Sequence, residues 1–129
     1  MPGSDQGHSE PEQGQATVEL ALVLPVVVLF ALLVVQVGLV AKDLVLVQHA
    51  AREGARAAAV DPTPSAARAG AFGSSSLEVA RMTVTLGGST SRGGAATTTV
   101  HYRSPTNVPL VGALVGDIAL TAEVTMRVE

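Results

Sequence analysis

The sequence predicts an α+β protein: a long N-terminal transmembrane helix that extends beyond the membrane, then a small antiparallel three-stranded sheet. Three observations predict this class. From Leu20 to Ala41 there is no charged residue, and the only polar side chain is Gln36. No helix breaker follows before Asp61-Pro62. Beyond residue 77 the apolar residues change from helical spacing to strict alternation, the period of half-buried strands.

The uncharged stretch Leu20–Ala41, called the apolar run below, is long enough to cross a bilayer. As a helix it would rise about 33 Å, against a hydrocarbon core of about 30 Å. A core helix of a soluble protein would show a polar face, and the apolar run has none. A cleaved secretory signal would have a basic start and a shorter apolar segment, but residues 1–14 contain no Lys or Arg. We therefore predict an anchor that stays in the mature protein.

Composition and periodicity divide the chain into four segments. Residues 1–14 are rich in Pro, Gly and acids and are predicted to be a disordered leader. Residues 15–60 are predicted to form one helix, starting near Thr17, kinked at Pro25 and projecting from the bilayer for about half of its length. Residues 61–76 form a linker with a possible short helix around Ala66 to Phe72. Residues 77–129 make up the small antiparallel β region.

The three strands are indicated by alternating residues in "EVARMTVTL", "TTTVHYR" and "DIALTAEVTMRVE". The last is the clearest, because every second residue from Ile118 to Val128 is apolar. The glycine-rich segment 87–94 is predicted to be the hairpin loop between the first two strands. The second connection contains Pro and Gly, which argue against a central strand there.

A row of small residues, Ala50, Gly54 and Ala58, lies one helical turn apart on the projecting part of the helix. Such a row allows two helix backbones to approach closely. Alanine-rich helix propensity is the alternative explanation. Gly54 lowers helix stability by roughly 1 kcal/mol relative to alanine, which favours a packing role.

No catalytic, metal or cofactor site is predicted. The chain has no cysteine, and His8, His49 and His101 do not have the spacing of metal ligands. No nucleophile motif or phosphate-binding loop is present, so we predict neither an enzyme nor a small-molecule substrate. The formal net charge of −3 arises before Gln15, and no basic stripe carries interleaved aromatics, so nucleic-acid binding is not predicted either.

The segment "GQATVELALVLP", residues 14–25, resembles the processing site of class III (prepilin-type) signal sequences. In that family a polar leader ends in Gly, and Glu is the fifth residue of the mature chain. The resemblance implies cleavage between Gly14 and Gln15. It also implies that Glu19 neutralises the free α-amino group of a neighbouring subunit in a filament.

A larger resemblance covers residues 14–60. "GQATVELALVLPVVVLFALLVVQVGLV" followed by "QHAAREGARAAA" is similar to the TadE-like family of the Tad (tight adherence) pilus system, whose members are minor pseudopilins. The closing "LTAEVTMRVE" also resembles their C-terminal strand. The resemblance implies a pilin-like architecture and a structural role in a Tad/Flp pilus-assembly or secretion system. The implied partners are the membrane, a prepilin peptidase, other pilins or pseudopilins, and assembly-platform proteins.

Two alternatives stay open from the sequence. The chain could instead be an unprocessed single-pass membrane-anchored binding module that keeps residues 1–14. Its orientation is also open, because Lys42, Arg52 and Arg56 follow the apolar run and by the positive-inside rule would hold the C-terminus in the cytoplasm. The family pattern implies the opposite: a leader in the cytoplasm and a C-terminal region outside the cell membrane.

Overall fold

The computed structural model describes Gly3 and residues 10–129. Its elements follow the predicted order of a long helix and then a three-stranded sheet, with two short helices in the connections. They are α1 (Glu10–Val60), α2 (Pro64–Gly73), a single 3₁₀ turn (Val79–Arg81), β1 (Met82–Gly88), β2 (Ala95–Ser104), α3 (Val111–Val115) and β3 (Ile118–Arg127). The predicted α+β class is confirmed.

Helix α1 begins earlier than the sequence predicts. Its first residue is Glu10, so residues 10–14 are helical rather than disordered, while the rest of the predicted leader, except Gly3, lies outside the described residues. Pro11 is compatible with a first helical turn, where its missing N–H has no partner to lose. Glu12 adds negative charge near the positive end of the helix dipole. The helix then continues without a break through Pro25.

Helix α2 packs closely against the second half of α1. Thr63 caps it, accepting a hydrogen bond of 3.2 Å from the backbone N–H of Ala66, and Pro64 occupies the first turn. A methyl group added at Gly70 would lie 2.7 Å from the carbonyl oxygen of Glu53, and one added at Gly54 would lie 2.9 Å from that of Ala67. The two glycines therefore permit a helix–helix distance that larger residues would prevent.

The sheet has the order β1-β2-β3, and both pairs are antiparallel. Met82 pairs with Tyr102 in the first ladder, and Ser104 pairs with Ile118 in the second. Burial alternates along the strands as the sequence predicts: Met82, Val84 and the even-numbered residues of β2 from Ala96 to Ser104 are buried. Gly88 and Gly93 take left-handed backbone angles, φ 79° and 81°, at the hairpin between β1 and β2.

The core lies between the second half of α1, α2 and one face of the sheet. Its buried members include Val47, Ala50 and Ala51 of α1, Ala67 and Ala71 of α2, and Val84 and Val100 of the sheet. Two hydrogen bonds fix the sheet along α1. The Ser104 hydroxyl donates to the Asp43 carboxylate at 2.7 Å, and the Glu129 backbone N–H donates to the Ala59 carbonyl at 2.9 Å. The sheet thus lies beside residues 43–59 of α1.

The connection between β2 and β3, residues 105–117, is called the base loop below. It contains α3, a short helix that the sequence analysis does not predict. Leu110 precedes α3 with φ 68°, a conformation that bulky residues rarely adopt. At Gly112 the Thr106 carbonyl oxygen leaves no room for a side chain. Neither the backbone angle of Leu110 nor the contact of Gly112 with Thr106 follows from an apolar period, which explains why the sequence pattern does not indicate this helix.

Candidate functional site

The candidate processing site lies on the exposed N-terminal part of α1. Gly14, Gln15 and Glu19 are all exposed, and a methyl group added at Gly14 would touch nothing within 4 Å. The Gln15 amide donates a hydrogen bond of 3.3 Å to the Glu19 carboxylate, one helical turn away. The structure therefore brings the side chain of Gln15, the implied new N-terminal residue, into contact with that of Glu19. It leaves the Glu19 carboxylate open to other partners.

The apolar run forms an exposed hydrophobic surface around α1. Val26 and Phe30 are each 67% exposed, and Val37 is 68% exposed. The most apolar 18-residue window of α1 has none of its residues buried by the rest of the chain. By length and composition α1 can cross a membrane. A single-pass membrane anchor fits this helix, since water is a poor solvent for so large an apolar surface.

The small-residue row lies in the core of its own chain. Ala50 and Ala58 have no exposed surface, and Gly54 is buried. The neighbours of Gly54 are Ala67 and Ala71 of α2 and Thr98 of β2. In this structure the row therefore serves the packing of α1 against α2 and the sheet.

An apolar groove, missed by the sequence analysis, runs between α1 and the base loop. Its volume is about 370 Å³, and its lining includes Gln36, Val40 and Leu44 of α1 with Val111 and Val115 of α3. Gln36 is only 4% exposed, and neither polar atom of its side chain has a hydrogen-bond partner within the described part of the chain. A lone polar residue within the apolar run was the one signal that could have indicated this contact.

Charged groups are concentrated around the C-terminal end of the base loop. Arg81 donates hydrogen bonds to Asp117 at 2.9 Å and to Glu78 at 3.0 Å. The hydrogen bond from Arg81 lowers the pKa of Asp117 below its usual range, and the same bond raises the pKa of Arg81. Burial, with the nearby Asp43 carboxylate second, raises the pKa of Tyr102. The pair Lys42–Asp43, at 3.7 Å, lies at the same end of the sheet.

The described residues suggest no catalytic or metal centre. His49 is exposed on α1, His101 shares a hydrogen bond of 3.0 Å with the Thr121 hydroxyl, and His8 lies outside the described residues. No group of three or more His, Cys, Asp or Glu residues that could hold a metal ion occurs in residues 10–129.

Comparison with known proteins adds one finding to this geometry. Residues 14–56, about a third of the chain, match the family model described as TadE-like protein. No curated protein and no solved structure gives a significant match. The matched segment starts at Gly14, contains Glu19, Pro25 and the whole apolar run, and ends inside the packed half of α1. Over these residues the protein is similar to the TadE-like family, as the sequence resemblance implied.

Proposed function

We propose that this protein is a minor pseudopilin-type structural component of a Tad/Flp pilus-assembly or secretion system. A prepilin peptidase would cleave it between Gly14 and Gln15. The observation that supports the proposal best is the family match, which begins at Gly14 and covers the exposed part of α1. The domain made of α2, the sheet and the second half of α1 would then be displayed outside the cell membrane.

The surroundings of Gly14 suit processing. It lies in the second turn of α1, close to the end from which the helix frays, and glycine is a weak helix former. The exposed backbone on both sides leaves room for a peptidase to bind once this turn opens. Cleavage there would create a free α-amino group on Gln15, four residues before Glu19.

Glu19 is suited to pair with a positive charge. Its carboxylate lies one residue before the apolar run, where a negative charge is unfavourable in the absence of a partner. The Gln15 amide is neutral and contacts it at 3.3 Å, so the charge is not compensated within the described chain. The α-amino group of a neighbouring subunit would compensate it.

The folded domain after the apolar run is also relevant to which side of the membrane holds the C-terminal region. Arg52 and Arg56 belong to the second half of α1. This half of the helix packs with α2 and the sheet into one domain. The positive-inside rule counts basic residues in short loops and near the ends of a span, whereas long domains are translocated largely regardless of their charge. This argument supports the extracytoplasmic placement that the family pattern implies.

The proposal is tested by Glu19→Ala, with Glu12→Ala as the matched control. Both residues are exposed carboxylates on the first turns of α1, but Glu12 lies in the segment that cleavage would remove. We expect Glu19→Ala to insert into the membrane normally and to be lost from the sheared pilus or pseudopilus fraction. Glu12→Ala should be incorporated as the wild type is. Normal incorporation of Glu19→Ala would contradict the proposed role of Glu19. Absence of the wild type itself from that fraction would favour the unprocessed membrane-anchored module instead.

A further inference from the structure

Along the axis of α1, the base loop lies at the same level as the C-terminal end of the apolar run. Both of its ends are level with Asp43 of α1, because Ser104 donates to the Asp43 carboxylate at 2.7 Å and pairs with Ile118 across the sheet. Asp43 is two residues beyond the last residue of the apolar run. Any part of the loop that extends from Asp43 toward the N-terminus of α1 therefore reaches the depth of the bilayer.

The burial of Gln36 shows that the loop does extend this far. Val35 and Val37 are 55% and 68% exposed, yet Gln36 between them is only 4% exposed. Val111 and Val115 of α3 share the groove with Gln36. Gln36 lies five residues before the end of the apolar run, which corresponds to about 7.5 Å along the helix axis.

The surface of the base loop matches this position. The loop has no charged residue before Asp117, and Leu110, Leu114 and Val115 are 65%, 75% and 52% exposed. Charges begin at its end, with the Arg81–Asp117 ion pair and with Lys42 on α1. An apolar tip bordered by charged residues is typical of a segment that dips into the boundary between lipid headgroups and acyl chains.

The backbone of the loop is partly satisfied by its own hydrogen bonds. The backbone N–H of Gly112 donates to the Val108 carbonyl at 3.0 Å, and that of Gly116 donates to the Gly112 carbonyl at 3.2 Å. The Thr106 hydroxyl donates to the Gly116 carbonyl. Internal bonds of this kind are required where the backbone leaves water. They suit insertion at the boundary, where the remaining groups can still reach water.

We propose that the base loop is a second membrane contact, in which Leu110, Leu114 and Val115 insert into the leaflet on the side of the domain. Acyl chains of the lipids occupy the groove between α3 and α1. Lipid is the expected occupant because one side of the groove is formed by the apolar run itself. The membrane that surrounds the apolar run is therefore continuous with the groove. The domain is thereby fixed against the bilayer surface instead of standing free on α1.

The test uses the full chain in vesicles of phosphatidylethanolamine and phosphatidylglycerol. Since the chain has no cysteine, single variants can carry an environment-sensitive fluorophore without further change. Leu114→Cys reports on the base loop, and its exposed side chain makes no demand on the fold. Ser91→Cys, in the hairpin at the far end of the sheet, and Val27→Cys, in the apolar run, are the water and membrane controls.

We expect lipids with a nitroxide on the acyl chain to quench the label at position 114 several-fold more than the label at 91. The emission at 114 should shift to shorter wavelength, as at position 27, and both effects should persist when the protein is diluted in lipid. A label at 114 that behaves like the one at 91 would overturn the proposal. Burial at 114 that appears only at high protein density, without quenching by lipid, would overturn it in favour of a second copy. Absence of quenching at 27 would instead remove the membrane span, and with it both proposals.

Discussion

At the scale of single residues, the packing of α1 on α2 depends on two glycines and on a threonine in the core. Gly54 lies against the Ala67 carbonyl and the Thr98 methyl group, and Thr98 has no exposed surface. The Thr98 hydroxyl has no hydrogen-bond partner within residues 10–129. Gly54 therefore has no room for a larger side chain, and Thr98 buries a hydroxyl group that forms no hydrogen bond in the described part of the chain.

We predict that Gly54→Ala destabilises the domain. The added methyl group would lie 2.9 Å from the Ala67 carbonyl oxygen, which is backbone and cannot move alone. Overpacking costs about 1–3 kcal/mol. The higher helix propensity of alanine offsets roughly 1 kcal/mol of this, so the expected net loss is up to about 2 kcal/mol. Hydrogen exchange of the β2 amides in the full chain in micelles measures the change.

Gly38→Ala is the control for this variant, because nothing lies within 4 Å of a methyl group at Gly38. It should leave the exchange of β2 unchanged. Equal protection in the two variants would show that α1 and α2 are far enough apart to accommodate a methyl group at Gly54.

Thr98→Val should stabilise the domain. Valine has nearly the same shape, and it removes a buried hydroxyl whose unsatisfied state costs about 1–3 kcal/mol. We expect slower exchange of the β2 amides, equivalent to about 1 kcal/mol. Thr85→Val, at an exposed position of β1, should change stability by less than about 0.5 kcal/mol. Faster exchange in Thr98→Val would mean that the hydroxyl has a partner after all.

At the scale of elements, the three strands could be predicted from the sequence. The contacts made by the loop between β2 and β3 could not. Alternation in Met82–Leu86, Thr98–Tyr102 and Ile118–Val128 is a local property and sufficed to place three strands. The groove and α3 depend on the approach of Val111 to Gln36, residues far apart in the chain, and no local period records such an approach. The processing site at Gly14 and the pairing role of Glu19 stay predictions, and both rest on a short linear sequence pattern.

The hydrogen bond from Ser104 of β2 to Asp43 of α1 fixes the position of the sheet along the axis of α1. Ser104→Ala should destabilise the docking of β2 by about 1.5–3 kcal/mol, since it leaves a largely buried carboxylate with one partner fewer. Ser91→Ala in the exposed hairpin is the control and should have no measurable effect. Hydrogen exchange of residues 100–104 reports the loss. Unchanged exchange there would contradict the assigned position.

The Arg81–Asp117 pair ties the end of the base loop to the start of β1, and it gives the loop a pH dependence. The folded state lowers the pKa of Asp117, so the pair stabilises the domain fully above the ordinary aspartate value of about 3.9. This contribution is lost as the pH falls from there through the lowered pKa. We expect the difference in unfolding midpoint between wild type and Asp117→Asn to be constant near neutrality. It should shrink in acid, and a difference that grows in acid would contradict the ion pair.

At the scale of the whole molecule, the chain has a polar start, an apolar helix that the rest of the described chain covers only at the base loop, and a domain beyond it. The apolar half of α1 is exposed on nearly all sides, whereas the second half is covered by α2 and the sheet. A helix built in this way can be surrounded by lipid before assembly and by other subunits after it. That exchange of surroundings is what the proposed pseudopilin role requires.

The most direct test of this account is the N-terminus of the protein extracted from membranes, with and without a co-expressed prepilin peptidase. A Gly14→Leu variant provides the uncleaved reference, since it changes only the residue before the implied cleavage site. We expect a chain that starts at Gln15 when the peptidase is present and an intact leader when it is absent or Gly14 is replaced. An intact leader in every sample would contradict processing and, with it, the filament role of Glu19.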